Sequence, residues 1–364
     1  MVNRSPFRWP ALAAAVLFGV LQLPVRAQVD PLQRPARSSA KAAGVAQLAV
    51  TQAGRRLVSV GERGVILYSD DDGVSWKQAA VPVSVTLTQV SFPAPELGWA
   101  VGHGGVVLHS TDAGATWSRK LDGVQAAQLV LDAVKLSSDP TIAAGKAMLA
   151  DAQRLVTEGA DKPWLDVLFT TGKRGILVGA YGLALATEDG GMSWRSWTGR
   201  IPNPKGRHLY SVAAVDERIV LVGEQGSVFS SDDGGKTFAA HPTPYSGTYF
   251  GVLMLNKERW LAYGMVGNAW LTTDSGISWT QVDTRDAGGA SFTHGRRLPD
   301  GTVLLGTNGG DLLASRDHGR SFRKLGATRA GPVLGFAALA DGALVLTGLR
   351  GPTRVSAAGP GSAR

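Results

Sequence analysis

Six aspartates recur at the same place in the same eight-residue figure, and carboxylates repeated so regularly invite a reading as general acids or metal ligands. They are Asp71, Asp112, Asp189, Asp233, Asp274 and Asp317, each two residues after a Ser or Thr, two before a Gly and four before another Ser or Thr. An aromatic closes every copy: Trp76, Trp117, Trp194, Phe238, Trp279 and Phe322. A residue required in every repeat serves the repeat. Ser, Thr and Asp side chains accept hydrogen bonds from nearby backbone N–H groups and Gly supplies a positive φ, so the figure is turn chemistry that closes a hairpin. The aromatic then opens the next strand and buries its body against the neighbouring sheet. Outside the figure, His103, His109, His208, His241, His294 and His318 are scattered without metal-ligand spacing. No Ser-His-Asp constellation, P-loop or nucleotide-binding glycine motif is recognisable, so neither metal nor cofactor is expected.

The elements that position these residues follow from the spacing. The closing aromatic advances by 41, 77, 44, 41 and 43 residues, and a period of forty-odd residues made of short strands is the signature of a propeller. A second marker counts better. Gly61-Glu62-Arg63-Gly64, Gly102-His103-Gly104-Gly105, Gly179-Ala180-Tyr181-Gly182, Gly223-Glu224-Gln225-Gly226, Gly264-Met265-Val266-Gly267 and the variant Thr307-Asn308-Gly309-Gly310 each precede a box, and Gly348-Leu349-Arg350-Gly351 stands without one. These read as turns between second and third strands, and they predict an all-β, seven-bladed propeller over residues 45–356. The seventh blade's outer strand is either absent or supplied by the amino-terminal arm, and residues 357–364 form a disordered tail. The step of 77 marks an inserted α-helical hairpin at 124–163, with apolar residues at Val124, Ala127, Leu131 and Val134, then at Met148, Ala152 and Leu155 or Val156. Asp139-Pro140 separates the helices and is suited to start the second. Because the insertion joins an outer strand to the next inner strand, it emerges on the face of the Gly-x-x-Gly turns, across or beside the mouth.

Residues 1–27 carry Arg4 and Arg8, an apolar run over 11–23 and then Pro24-Val25-Arg26-Ala27, the pattern of a secretory signal cleaved after Ala27. Its apolar core is too short to span a bilayer at roughly 20 residues per helix. Cleavage removes three arginines and no acid, lowering the formal charge from +8 to +5. There is no cysteine, which excludes disulfides, thiolate metal sites and a lipid-modified cysteine. The mature chain is expected free in the periplasm or secreted, and monomeric. Lys and Arg are scattered singly or in pairs without the basic stripe of a nucleic-acid binder. Residues 28–44, rich in Pro, Arg and Ala, read as a linker or loosely attached arm.

In a propeller the variable residues around the central channel are where function sits. Here these are Glu62, Arg63, His103, Tyr181, Glu224, Gln225, Met265, Asn308 and Arg350, a mixture of charge, amide, aromatic and apolar groups suited to gripping a peptide or loop. For any one of them an ordinary turn role is the competing reading.

The eight-residue figure resembles the Asp-box, or BNR repeat, of sialidases and several non-enzymatic propellers, a motif specific for fold and poor for function. Arg200-Ile201-Pro202 matches a sialidase triplet whose arginine holds the substrate carboxylate, but it follows the third box where sialidases place it before the first. The remaining sialidase set, with its converging arginines, Tyr-Glu pair and Asp, cannot be assembled here, and the triplet is treated as coincidence. Residues 45–355 as a whole resemble the photosystem II stability/assembly factors. The resemblance is carried by Leu97-Gly98-Trp99-Ala100-Val101-Gly102-His103-Gly104-Gly105, Arg174-Gly175-Ile176-Leu177-Val178-Gly179-Ala180-Tyr181-Gly182 and Ala186-Thr187-Glu188-Asp189-Gly190-Gly191. It implies a non-catalytic propeller that binds a membrane protein or complex and assists its assembly or stability. The helical insertion looks like the bacterial branch of that family, and the family's arginine patch has no clear counterpart beyond Arg63 and Arg350. The competing class is a glycan-binding or glycoside hydrolase propeller, which predicts a carboxylate cluster in the channel.

Overall fold

A computed structural model describes residues 30–327 and 331–356; the expected signal segment and the tail lie outside the described residues. Seven antiparallel sheets follow one another along the chain, each with its strands in sequence order. Blade one, for example, runs Gln47–Ala53, Arg56–Gly61, Ile66–Ser69 and Lys77–Gln78. The second strand of every blade is buried almost throughout, as Gly98–Gly102 and Trp260–Gly264 are, because both of its faces pack between neighbouring blades. That is why these segments read as continuous apolar runs rather than as alternation. Fourth strands such as Thr280–Gln281 are short and exposed at the rim.

All six boxes close the same hydrogen-bonded figure. In the second, Ser110 Oγ donates to Asp112 Oδ1 at 2.8 Å and accepts from the Gly114 N–H at 2.9 Å, while the Thr116 hydroxyl donates to Asp112 Oδ2 at 2.6 Å. Such bonds favour the ionised carboxylate. Asp71 is held down at about 2, first by the Ser75 hydroxyl, then by the Ser75 N–H and the Ser69 hydroxyl, and Asp189 and Asp274 are held at the same value by equivalent bonds. A carboxylate held this low carries no proton to donate near neutral pH. The folded value lies below the ordinary 3.8, so the boxes contribute stability that is complete above the ordinary value and lost as pH falls through the folded one. Thermal melts followed by circular dichroism should therefore change little between about pH 7 and about pH 5 and fall steeply between about pH 4 and about pH 2. A midpoint that is flat through that lower window would contradict this role.

The closing aromatics fill the seams between blades. Trp194 meets Trp99 of blade two and Phe169 of blade three edge-on at 6.1 and 6.2 Å, and Trp99 and Phe169 stack at 4.4 Å. Gly191 of the third box, at φ +75, lies so close that a Cβ there would stand 2.3 Å from Trp99.

The seventh blade has three strands among the described residues, Gly335–Ala338, Leu344–Thr347 and Thr353–Val355. Among the described residues the ring closes without a strand borrowed from the arm. Blade one packs directly on blade seven, Val50 and Leu57 against Ala337 and Val345, and the Gln47 N–H donates to the Gly348 carbonyl at 3.0 Å. The arm runs elsewhere and is not loose. Leu32 is buried against blade two, its carbonyl accepts from Arg119 at 2.8 Å, and the Ala36 N–H donates to Val81 at 3.0 Å.

The insertion comprises helices α1 (Gly123–Ser137) and α2 (Ala143–Glu158). Asp122 caps α1 in a reciprocal capping box with Gln125. Ala126, Ala127, Val130, Leu131 and Val134 form its buried face. Val124 departs from the expected stripe and is exposed, since it lies in the first turn, beyond the packed face. Asp139 departs too: its carboxylate accepts from Thr141 in a local turn, and α2 begins only at Ala143.

Candidate functional site: one face and the central channel

Strand order puts the Gly-x-x-Gly turns and the insertion on one face and the boxes on the other. Five turns form a single 3-10 turn whose second residue is left-handed, namely Arg63 (φ 56), Gly104 (φ 68), Tyr181 (φ 57), Gln225 (φ 52) and Val266 (φ 55). The backbone is anchored at each: the first residue's N–H reaches back to the carbonyl at the start of its blade's inner strand, as from Glu62 to Ala46 and His103 to Thr86. The second side chain is thereby thrust outward. Left-handed geometry costs a β-branched residue roughly 1–2 kcal/mol, and Val266 is 62% exposed, so no packing offsets that cost. Val266→Gly should stabilise the fold by roughly 0.5–1 kcal/mol after glycine's greater chain entropy is counted. Urea unfolding at unchanged slope checks it; destabilisation would contradict the strain.

Among the nine residues expected around the channel, two are committed to the fold. Glu224 accepts from the His208 N–H at 2.8 Å, and Asn308 accepts from the Ser291 N–H at 3.0 Å. Tyr181 lies tilted against His208 at 4.9 Å with the Lys162 ammonium 4.8 Å over its ring. The side chains of Glu62, Arg63, His103, Gln225 and Arg350 are free of hydrogen bonds and ion pairs among the described residues and all are exposed. Arg63 and Arg350 belong to blades one and seven, joined where the ring closes. Met265, Val266 and Leu349 add exposed apolar groups to the same face.

The nine stand on the turn face, and none of them is among the residues that line the central cavity. Turns between second and third strands sit back from the axis. The channel wall is made instead by inner strands, six of which begin with a β-bulge. The extra residue at each bulge, Leu48, Thr88, Leu165, Tyr210, Phe250 or Thr293, lines a central cavity of about 440 Å³. A bulge re-aims its side chain, and that explains why simple alternation misses this set.

Asp166 and His294 also line this cavity and were missed in the sequence. Asp166 is the one carboxylate on that wall among the described residues. Its oxygens accept from the Val167 N–H at 2.8 Å and the Val212 N–H at 3.0 Å, tying blade three to blade four. Burial pushes its pKa up, against the opposing pull of these bonds. His294 sits edge-on to Phe336 at 4.8 Å; burial, then the charge of Arg296, pushes it down to about 4, so it is neutral near pH 7.

The sialidase-like triplet lies outside the channel. Arg200 donates to the Gly235 carbonyl at 3.2 Å and Ile201 is buried. The insertion stands beside the mouth, on the rim at blades two and three. Trp164 Nε1 donates to Gly105 at 2.9 Å, and a Cβ on Gly105 would lie 2.4 Å from the Gly123 Cα at the head of α1.

Seven sheets, six of them clasped by boxes, with exposed and unpaired side chains gathered on the opposite face, define a BNR-repeat propeller. Residues 41–129, 68–151 and 146–311 match the family model described as photosynthesis system II assembly factor YCF48, and the chain belongs to that family. Photosystem II assembly lipoprotein Ycf48 of Synechococcus sp. (strain CC9902) is 28% identical over 163 residues, 44% of this chain and 48% of that protein. The match thus spans about half the length of that relative. The present chain contains no cysteine. A solved YCF48 bound to D1 peptide is similar over 86% of this chain and 93% of its own, with a TM-score of 0.61 and 16% identity. An ancestral GH74 enzyme shares the fold over 86% of this chain and 45% of its own, with a TM-score of 0.57 and 14% identity. Among the described residues no helix is long and apolar enough to cross a membrane.

Proposed function

We propose that this protein is a non-catalytic, exported propeller that binds a membrane protein or membrane-protein complex through its Gly-x-x-Gly face and assists its assembly or stability. The observation that carries the reading is the combination of family membership with that face. Unpaired Arg63 and Arg350, outward-thrust Tyr181, Gln225 and Val266, and apolar Met265 and Leu349 lie there together. A surface mixing free cations with exposed aromatic and apolar groups has the composition of a protein-binding patch. The YCF48 solved with D1 peptide supports a peptide-like ligand by analogy. Export by the 1–27 signal, release after Ala27 and a monomeric state belong to the same proposal. Its test is capture of membrane proteins by wild type against an Arg63→Glu/Arg350→Glu variant.

The enzyme reading draws support only from the fold shared with the GH74 enzyme. Glycoside hydrolysis uses two carboxylates flanking the scissile bond, and among the described residues the channel wall carries Asp166 alone, with both oxygens engaged. Turnover of aryl glycosides or sialosides that disappears on Asp166→Asn would overturn the non-catalytic reading.

A further inference from the structure

A second concavity, of about 550 Å³, lies away from the channel between α2 and the connection at 198–206. Its floor and walls are apolar: Val130 and Leu183 are buried beneath it, Met148 and Leu155 line the α2 side, and buried Ile201 the other. Pro202 and Pro204 stiffen the far wall. The size is that of a small-molecule site.

The charges at its edge are unequal in a way that selects a ligand. Arg154 pairs with Asp151 at 2.8 Å and Glu158 at 3.8 Å, and Lys162 pairs with Glu158 and Asp161, both at 2.7 Å. Lys205, on the opposite wall and exposed, has no ion-pair partner among the described residues. Behind it, the same connection borders a cavity of about 340 Å³ that Arg207 lines and no carboxylate does. Arg207 bonds Ser227 Oγ through Nη1 at 3.1 Å, but its buried Nε has no partner among the described residues. A partly buried guanidinium without a counter-charge is costly unless a ligand supplies one. The charges on the groove's helical side are thus all ion-paired, and the unpaired cation stands on its proline-rich side.

We propose that this groove binds a small amphiphilic carboxylate, its apolar body against Met148, Leu155 and Ile201 and its head beside Lys205 with Arg207 behind. The proposal goes beyond partner binding at the turns and does not depend on it. The probes are dodecanoate and dodecyltrimethylammonium below their micellar concentrations, titrated against the mature chain carrying the fluorescent anion anilinonaphthalenesulfonate. Dodecanoate should displace the fluorophore saturably at one site, at least about tenfold more tightly than the cation. Lys205→Glu should weaken dodecanoate by at least about tenfold, a shift of about 1.4 kcal/mol, and Met148→Trp, which fills the groove, should do the same. Unaltered thermal midpoints in both variants keep the loss interpretable. Equal affinity for the two amphiphiles, no saturable binding, or indifference to both substitutions would overturn the site. So would a groove that takes no amphiphile while Met148→Trp abolishes capture of a partner protein, since that result would make it a docking surface.

Discussion

Trp99→Ala should cost roughly 3–5 kcal/mol, the range for deleting a buried aromatic. The residue is about 1% exposed, stacks on Phe169 at 4.4 Å, lies tilted against His109 at 4.2 Å, and meets Trp194 edge-on. Each aromatic pair adds a geometric contribution beyond buried area, and the Gly191 backbone, pressed onto the ring, leaves no group free to collapse into the space. The loss falls on the seam between blades two and three, from which the insertion also hangs. Urea unfolding should therefore show both a lower midpoint and early loss of helical signal. A penalty under about 1 kcal/mol would mean that this seam does not hold the ring.

Reversal of both arginines, Arg63→Glu with Arg350→Glu, should weaken capture of membrane proteins by at least about tenfold. The argument rests on their freedom. Neither side chain has a hydrogen bond or ion pair among the described residues and both are exposed on adjoining blades, so the substitutions remove no contact that supports the fold. Stability should change by no more than about 0.5 kcal/mol. Binding by wild type should also fall with added salt, and the variant should lose most of that dependence. Equal capture by the two proteins would remove these arginines from the interface.

What the sequence made legible was whatever the repeat writes seven times. The Gly-x-x-Gly turns count the blades because each needs residues at positive φ, and the buried second strands appear as apolar runs because neighbours cover both faces. The insertion was legible from the anomalous step and from helical spacing, although Val124 fell on the exposed first turn of α1 and Asp139 on a local turn before α2. The channel was not legible. A single bulge residue per inner strand turns the next side chain to the other face, so Tyr210, Phe250, Asp166 and His294 leave no simple alternating pattern. Nor was the arm legible, because Leu32 and Ala36 belong to no repeat and are held by tertiary contacts with blades one and two.

The central claim is that the Gly-x-x-Gly face, rather than the box face, meets the partner. A photo-crosslinking residue placed at Val266 and, separately, at Ile277 tests it directly, since both side chains are exposed, 62% and 82%, on the same blade but on opposite faces. With membranes from the source cell, crosslinks to a membrane protein are expected from position 266 and not from 277. Crosslinks from 277 alone, or equally from both, would contradict the account.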